Sequence, residues 1–312
     1  MTHETVFKVA VAQVAPVAGT DATLGKIDRY CREAAAAGAR LVLFPEALLG
    51  GYPRGSGFGA VVGQRTDEGR EAFRRYFEAA IEVPGPATDT LGEIAARDGL
   101  HLVVGVIERA GGTLYCTVVF LGPEGRLLGK HRKLMPTGSE RLIWGFGNGS
   151  TMPVLDTPLG KLGAVICWEN YMPLMRAAHY ARGIELYCAP TADGRDTWLP
   201  TMQHVAMEGR CFVLSCNQFA RRSDYPEAYG PVTPETDAVV SRGGSCIVDP
   251  MGRVLAGPDF EGEALLVAEV DRGAVARGKF DFDATGHYAR PDVFSLQVNE
   301  TDTQPVVFNQ RP

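Results

Sequence analysis

"KLGAVICWENYMPLMR", residues 161–176, decides how the rest of the chain is read. Leu162 to Ile166 is an unbroken apolar run of strand length, with Lys161 the last charge before it, as in a strand buried on both faces. At Cys167 the periodicity changes. Asn170 is placed to cap a helix expected near 171–182. A doubly buried strand that hands over to a helix is the repeating unit of an α/β fold. It also leaves a thiol at the strand's carboxyl end. Cys167 is then either one more small core hydrophobe or a nucleophile, and the partial positive charge of the following helix N-terminus would favour its thiolate.

The same alternation extends in both directions. Strands are expected at 6–14, 40–44, 101–108, 113–121 and 126–131, and again at 185–189, 211–217, 244–249 and 264–270. Helices are expected at 21–37, near 68–82 and 87–98, and near 198–209. A polar, Gly-rich loop follows residue 50, and Gly-rich turns at 111–112 and 123–125 separate the central strands. No linker-like shift in composition and no repeat interrupts this pattern, which argues for one α/β domain.

Composition narrows the function. The chain has 312 residues, 45% hydrophobic and 22% charged, with a formal net charge of −6. A dispersed acidic balance argues against a nucleic-acid surface, and no apolar run has the roughly 18 residues a membrane span requires. The first residues lack the basic and apolar regions of a signal peptide, so a soluble, cytoplasmic protein is expected. Seven cysteines, at 31, 116, 167, 188, 211, 216 and 246, form no Cys-x-x-Cys pair and share no spacing with His. No metal site is expected, and at least five of the seven read as inert buried thiols.

In open α/β sheets ligands bind outside the carboxyl ends of the strands. Three polar residues stand where apolar strands stop: Glu46, Lys133 and Cys167. A carboxylate, an ammonium and a thiol are the base, anion stabiliser and nucleophile of a covalent hydrolase. Each has a bland alternative. Glu46 could be a solvated cap, Lys133 part of an exposed basic edge at 130–133, and Cys167 packing.

Four ordered motifs carry a resemblance. "FPEALLGGYPRG" (44–55), "GKHRKLMPTGSERLIWG" (129–145), "CWENYMPLMR" (167–176) and "GHYARPDV" (286–293) resemble segments of the nitrilase family of carbon–nitrogen hydrolases. The resemblance runs from about 7 to 298 of the single domain 1–312, leaving a short tail, 299–312. Cys-Trp-Glu-Asn resembles the true nitrilase branch, and "GGYPRG", "TLYCTV" and "GIELYCAPTADG" are most similar to plant-type nitrilases. The resemblance implies a four-layer α-β-β-α sandwich, a Cys167 nucleophile, a Glu46 base, a Lys133 cation and Glu140 as a second carboxylate beside them. It implies a nitrile substrate, water as co-substrate and no cofactor. It also implies pairing through the face that contains the helix after Cys167, and in some members spiral extension. The short tail favours a homodimer.

His131 shares the face of Lys133 and is expected either to orient the site or to be structural. Tyr52, Trp168, Pro190, Thr191 and Ala192 flank strand ends and are expected as pocket walls. Glu169 is expected as a hydrogen-bonding neighbour, and His287 and Arg290 as structural residues near subunit contacts. The loop 50–66 and the polar stretch 221–242 read as surface insertions. Two rivals stand beside the nitrilase reading: an amidase of the same superfamily, disfavoured by Trp168-Glu169-Asn170, and a non-catalytic interaction protein that has kept the fold.

Overall fold

The computed structural model describes residues 5–225, 235, 237–303 and 306. The first half of the chain runs β1 (Val6–Gln13), α1 (Thr20–Ala36), β2 (Ala39–Leu43), α2 (Asp67–Ala79), α3 (Pro86–Asp98), β3 (His101–Ala110), β4 (Thr113–Leu121) and β5 (Leu127–Arg132). The second half runs β6 (Val154–Thr157), β7 (Gly160–Ala164), α4 (Pro173–Ala181), β8 (Leu186–Thr191), α5 (Trp198–Gly209) and β9 (Phe212–Asn217). It closes with β10 (Phe219–Arg221), β11 (Val239–Arg242), β12 (Ser245–Val248), β13 (Val254–Asp259), β14 (Ala264–Asp271) and α6 (Gly273–Asp281).

Two mixed six-stranded sheets result, in the orders β14-β1-β2-β3-β4-β5 and β13-β12-β9-β8-β7-β6, with β10 and β11 paired separately. Their alternation explains the unbroken apolar runs. In β1, Val9 and Val11 face the space between the sheets, whereas Ala10 and Ala12 face α1 and α3. In β8, Leu186 and Cys188 face the inter-sheet core, and Tyr187 and Ala189 face α4 and α5. Successive side chains point to opposite faces, so a strand covered on both sides needs an apolar residue at every position. Three cores between four layers, α-β-β-α, are the outcome. The expected four-layer sandwich is the observed one.

Several short elements escape the sequence reading. β6 is four residues with an exposed Asp156, and α6 carries Gly273 and Gly278, poor helix formers held by the burial of Val275. β13 contains Gly257 and Pro258, which a sheet tolerates because this strand is an edge. The stretch 221–242 is described only in part, its ends forming β10 and β11, and most of the tail 299–312 lies outside the described residues.

Candidate active site

The strand ends that the sequence singles out converge. Glu46 lies just past β2 and is fully buried. Gln218, past the end of β9, donates from Nε2 to its carbonyl at 3.0 Å, and Gly105 of β3 packs beneath it. Lys133 follows β5 directly. In β5 the side chains alternate: Lys130 and Arg132 reach Glu108 at 2.6 Å each, while His131 and Lys133 point the other way and are buried. The basic run therefore divides into a half-buried pair held by the buried Glu108 and a fully buried pair, His131 and Lys133, on the other face.

Lys133 Nζ donates to Glu46 Oε1 at 2.6 Å and to Glu140 Oε2 at 2.9 Å. Glu140 sits in a short turn at Gly138–Leu142, where the Thr137 N–H donates to Oε2 at 2.7 Å and the Tyr52 hydroxyl to Oε1 at 2.6 Å. Burial opposes the charge on Lys133, but the carboxylates of Glu46 and Glu140 outweigh it and hold its pKa well above the usual range. Burial likewise pushes the Glu46 carboxyl up; Lys133 opposes this and Glu140 adds to it. One cation between two buried carboxylates leaves a net negative charge if both ionise, so the arrangement is suited to hold one proton.

Cys167 stands three residues past β7, buried, with its backbone in the left-handed region at φ 50°. Ala47, the neighbour of Glu46, is left-handed too, at φ 52°. Non-glycine residues rarely adopt this region, and such strain clusters at functional sites. The Thr191 hydroxyl donates to Cys167 Sγ at 3.2 Å, and the Ala192 N–H also faces the sulfur. Burial and the Glu46 charge nevertheless push the thiol up, with Lys133, Thr191 and Ala192 opposing. This corrects the expectation of a helix-stabilised thiolate. A five-residue 3₁₀ turn, Cys167–Tyr171, separates the thiol from α4, which begins only at Pro173. Asn170 is no helix cap: its Nδ2 turns inward to the carbonyls of Val165, at 3.0 Å, and Cys167, at 2.8 Å.

His131 and Glu169 link the two arms of the site. His131 Nε2 lies 2.9 Å from Glu169 Oε2, and Nδ1 lies 2.6 Å from the Thr151 carbonyl. With Glu169 ionised, both acceptors call for a proton on the facing nitrogen, an arrangement that favours the imidazolium. Burial opposes that charge, but Glu169 outweighs it and raises the His131 pKa; burial opposes the Glu169 charge, and His131 with two backbone N–H groups lowers its pKa. Those N–H groups belong to Leu134, at 2.6 Å, and Ile166, at 2.8 Å, the residues next to Lys133 and Cys167.

The site opens into a cleft of about 510 Å³ lined by Tyr52, Arg54, Glu140, Cys167, Trp168 and Arg242 among others. Tyr52, Trp168 and Ala192 line this cleft. Thr191 instead touches the sulfur from beneath. Pro190 is no wall. β8 runs on to Thr191, so Pro190 is still within the sheet, past the point where β7 stops pairing, and is buried. Sequence reading missed Arg54, Asp193 and Arg195. Asp193 accepts from Trp168 Nε1 at 2.9 Å and from Arg195, whose guanidinium stacks on the Trp168 ring at 4.7 Å. The strand-end rule, applied to β8, would have found Asp193. His287 and Arg290 lie apart from the cleft on exposed backbone, Arg290 paired with Asp292 at 2.7 Å. A larger hollow of about 620 Å³ beside Phe58–Thr66 and Leu142 contains no thiol or carboxylate. Among the described residues no three His, Cys, Asp or Glu side chains are grouped to hold a metal ion, and no helix is long and apolar enough to cross a membrane.

The family model for carbon-nitrogen hydrolases matches residues 8–280. The chain is 59% identical over 295 residues to a bifunctional nitrilase/nitrile hydratase of Lupinus angustifolius, covering 93% of this chain and 84% of that one. It is 57% identical over 305 residues to an aliphatic nitrilase of Sinorhizobium fredii (strain HH103), covering 97% and 99%. Among solved structures, a carbon-nitrogen hydrolase from Helicobacter pylori matches with a TM-score of 0.74 at 20% identity, covering 94% of this chain and 98% of that one. An amidase from Nesterenkonia sp. matches with a TM-score of 0.66 at 24% identity, covering 90% and 97%, and these two structures bear on the fold alone.

Proposed function

Since the chain belongs to the carbon–nitrogen hydrolase family, we propose that it hydrolyses an organic nitrile to the carboxylic acid and ammonia. The observation that carries this is the convergence of a buried thiol with a lysine held between two carboxylates, in a chain whose relatives at 57% and 59% identity are named an aliphatic nitrilase and a bifunctional nitrilase/nitrile hydratase.

The thiol is held protonated, so a base must act. Glu46 takes the Cys167 proton as sulfur adds to the nitrile carbon and passes it to the nitrogen, giving a thioimidate and leaving Glu46 ionised again. Water, deprotonated at Glu46, adds to give a tetrahedral species bearing hydroxyl, amino group and sulfur. Loss of ammonia leaves a thioester, and a second water releases the acid and the thiol. Expulsion of the thiol from the tetrahedral species gives the amide instead. Lys133 faces the negative charge that develops at each addition, and Glu140 holds Lys133 in place. His131 and Glu169 fix the spacing of Lys133 and Cys167 through Leu134 and Ile166.

We read residues 7–298 as one hydrolase unit, supported by the core its two sheets share. A cytoplasmic setting suits seven free thiols, all buried. A homodimer through the α4 face is favoured by Leu174, 67% exposed on that helix. Sedimentation of a Leu174→Arg variant as a monomer, against a dimeric parent, supports this; a monomeric parent rules it out. The function itself is tested by scoring ammonia, acid and amide from a panel of nitriles beside the matching amides. Turnover of amides alone would move the chain to the amidase reading, and turnover of neither to a non-catalytic one.

A further inference from the structure

The two carboxylate oxygens of Glu46 are treated differently. Oε1 accepts from Lys133 Nζ at 2.6 Å and from the Cys116 thiol at 3.5 Å, whereas Oε2 is buried with no hydrogen-bond partner among the described residues. Cys116 lies on β4 with 1% of its surface exposed, and its carbonyl accepts the Lys133 N–H at 2.8 Å. One residue of β4 thus touches both Glu46 and Lys133. Burial and the Glu46 charge hold its thiol well above its ordinary pKa, so it serves as a neutral donor and not as a second nucleophile.

Resting on the hydrolytic reading above, we propose that Cys116 is a positioning residue: its S–H anchors Oε1 of Glu46, which turns Oε2 into the oxygen that exchanges protons with Cys167 and with water. A carboxylate held at one oxygen by two donors cannot rotate freely, and the lone pairs of the other stay unoccupied. The groups facing Glu46 are Lys133 after β5, Glu140 from its short turn, Tyr52 after β2, Cys167 after β7 and Cys116 from β4. Among these, Cys116 alone can be exchanged without removing a charge, the nucleophile or a cleft wall.

The test is the series Cys116→Ser, Cys116→Ala and Cys116→Val in the full chain, with nitrile turnover followed from acid to alkaline pH and melting curves taken in parallel. A hydrogen bond to the ionised carboxylate favours that form, so losing it raises the acid limb of kcat/KM. We expect Ala and Val to raise that limb and to lower kcat about tenfold with KM little changed, the scale of one charge-assisted hydrogen bond. Ser, a stronger donor, should recover the rate and move the limb below that of the parent. An acid limb common to the whole series, whatever the melting temperatures do, would make Cys116 mere packing and overturn the proposal. If Ala and Val fail to fold, the Ser-to-Cys comparison decides alone, since an unmoved limb there overturns it equally. A parent that turns over no nitrile or amide would instead sink the hydrolytic reading, a different outcome from unchanged profiles in an active enzyme.

Discussion

At the scale of single residues, the roles proposed for the four central side chains separate in kinetics. Cys167→Ala removes the only thiol among the described residues that line the cleft, and acid production should cease while the fold survives. Residual acid from pure variant enzyme would rule out the covalent route. Glu46→Gln keeps shape but cannot accept a proton, and loss of a general base lowers turnover about 10²–10⁴-fold. Lys133→Met removes the cation, where a single stabilising donor is worth about 10²–10³-fold. Both effects should fall on kcat, because both side chains meet charge that develops after binding; variants that raise only KM would contradict the assignment. Glu140→Gln weakens the hold on Lys133 from the far side, and the ratio of amide to acid should rise more than KM. An unchanged product ratio would remove Glu140 from the chemistry.

The scale of elements is where backbone close approach matters. A Cβ added at Gly105 in β3 would stand 2.2 Å from the Pro45 carbonyl oxygen and 2.7 Å from the Glu46 Cα and the Ala47 nitrogen. These are backbone atoms, so the chain carrying Glu46 would have to move. Gly105→Ala should lower kcat well beyond any change in KM, since a misplacement of about 1 Å can cost about 10²-fold. Full activity in that variant would mean that the Glu46 loop tolerates displacement. What the sequence made legible follows the same division. Glu46 and Cys167 were readable because each stands where an apolar strand stops, Lys133 because it closes a basic run at the end of β5, and the doubly buried strands because they are apolar on both faces over most of their length. Edge strands such as β6 and β13 have no such signature, being short or broken by Gly and Pro. The second thiol of the site, Cys116, was unreadable, because in β4 a residue facing a carboxylate and one facing Leu and Val look alike.

For the whole molecule, the His131–Glu169 pair ties stability to pH. The raised His131 pKa contributes stability that is complete below its unfolded value, about 6.5, and is lost as pH rises through the folded one. The lowered Glu169 pKa contributes stability that is present above its unfolded value, about 4.3, and is lost as pH falls through the folded one. Removing one partner of a buried ion pair costs about 3–5 kcal/mol. Glu169→Gln should therefore melt below the parent by a margin that is widest between the two unfolded values and shrinks above them. A margin independent of pH would mean that the ring is uncharged.

The left-handed backbone at Cys167 sets function against durability. A residue with a Cβ resists that conformation by roughly 1–2 kcal/mol, and glycine does not. The chain therefore holds its nucleophile where a glycine would be more comfortable, and inactivation offers a route to a sturdier protein. Cys167→Gly, though it empties more space than Cys167→Ala, should melt no lower than the alanine variant. Such a variant would be the better inert host for capturing an intact nitrile in the cleft.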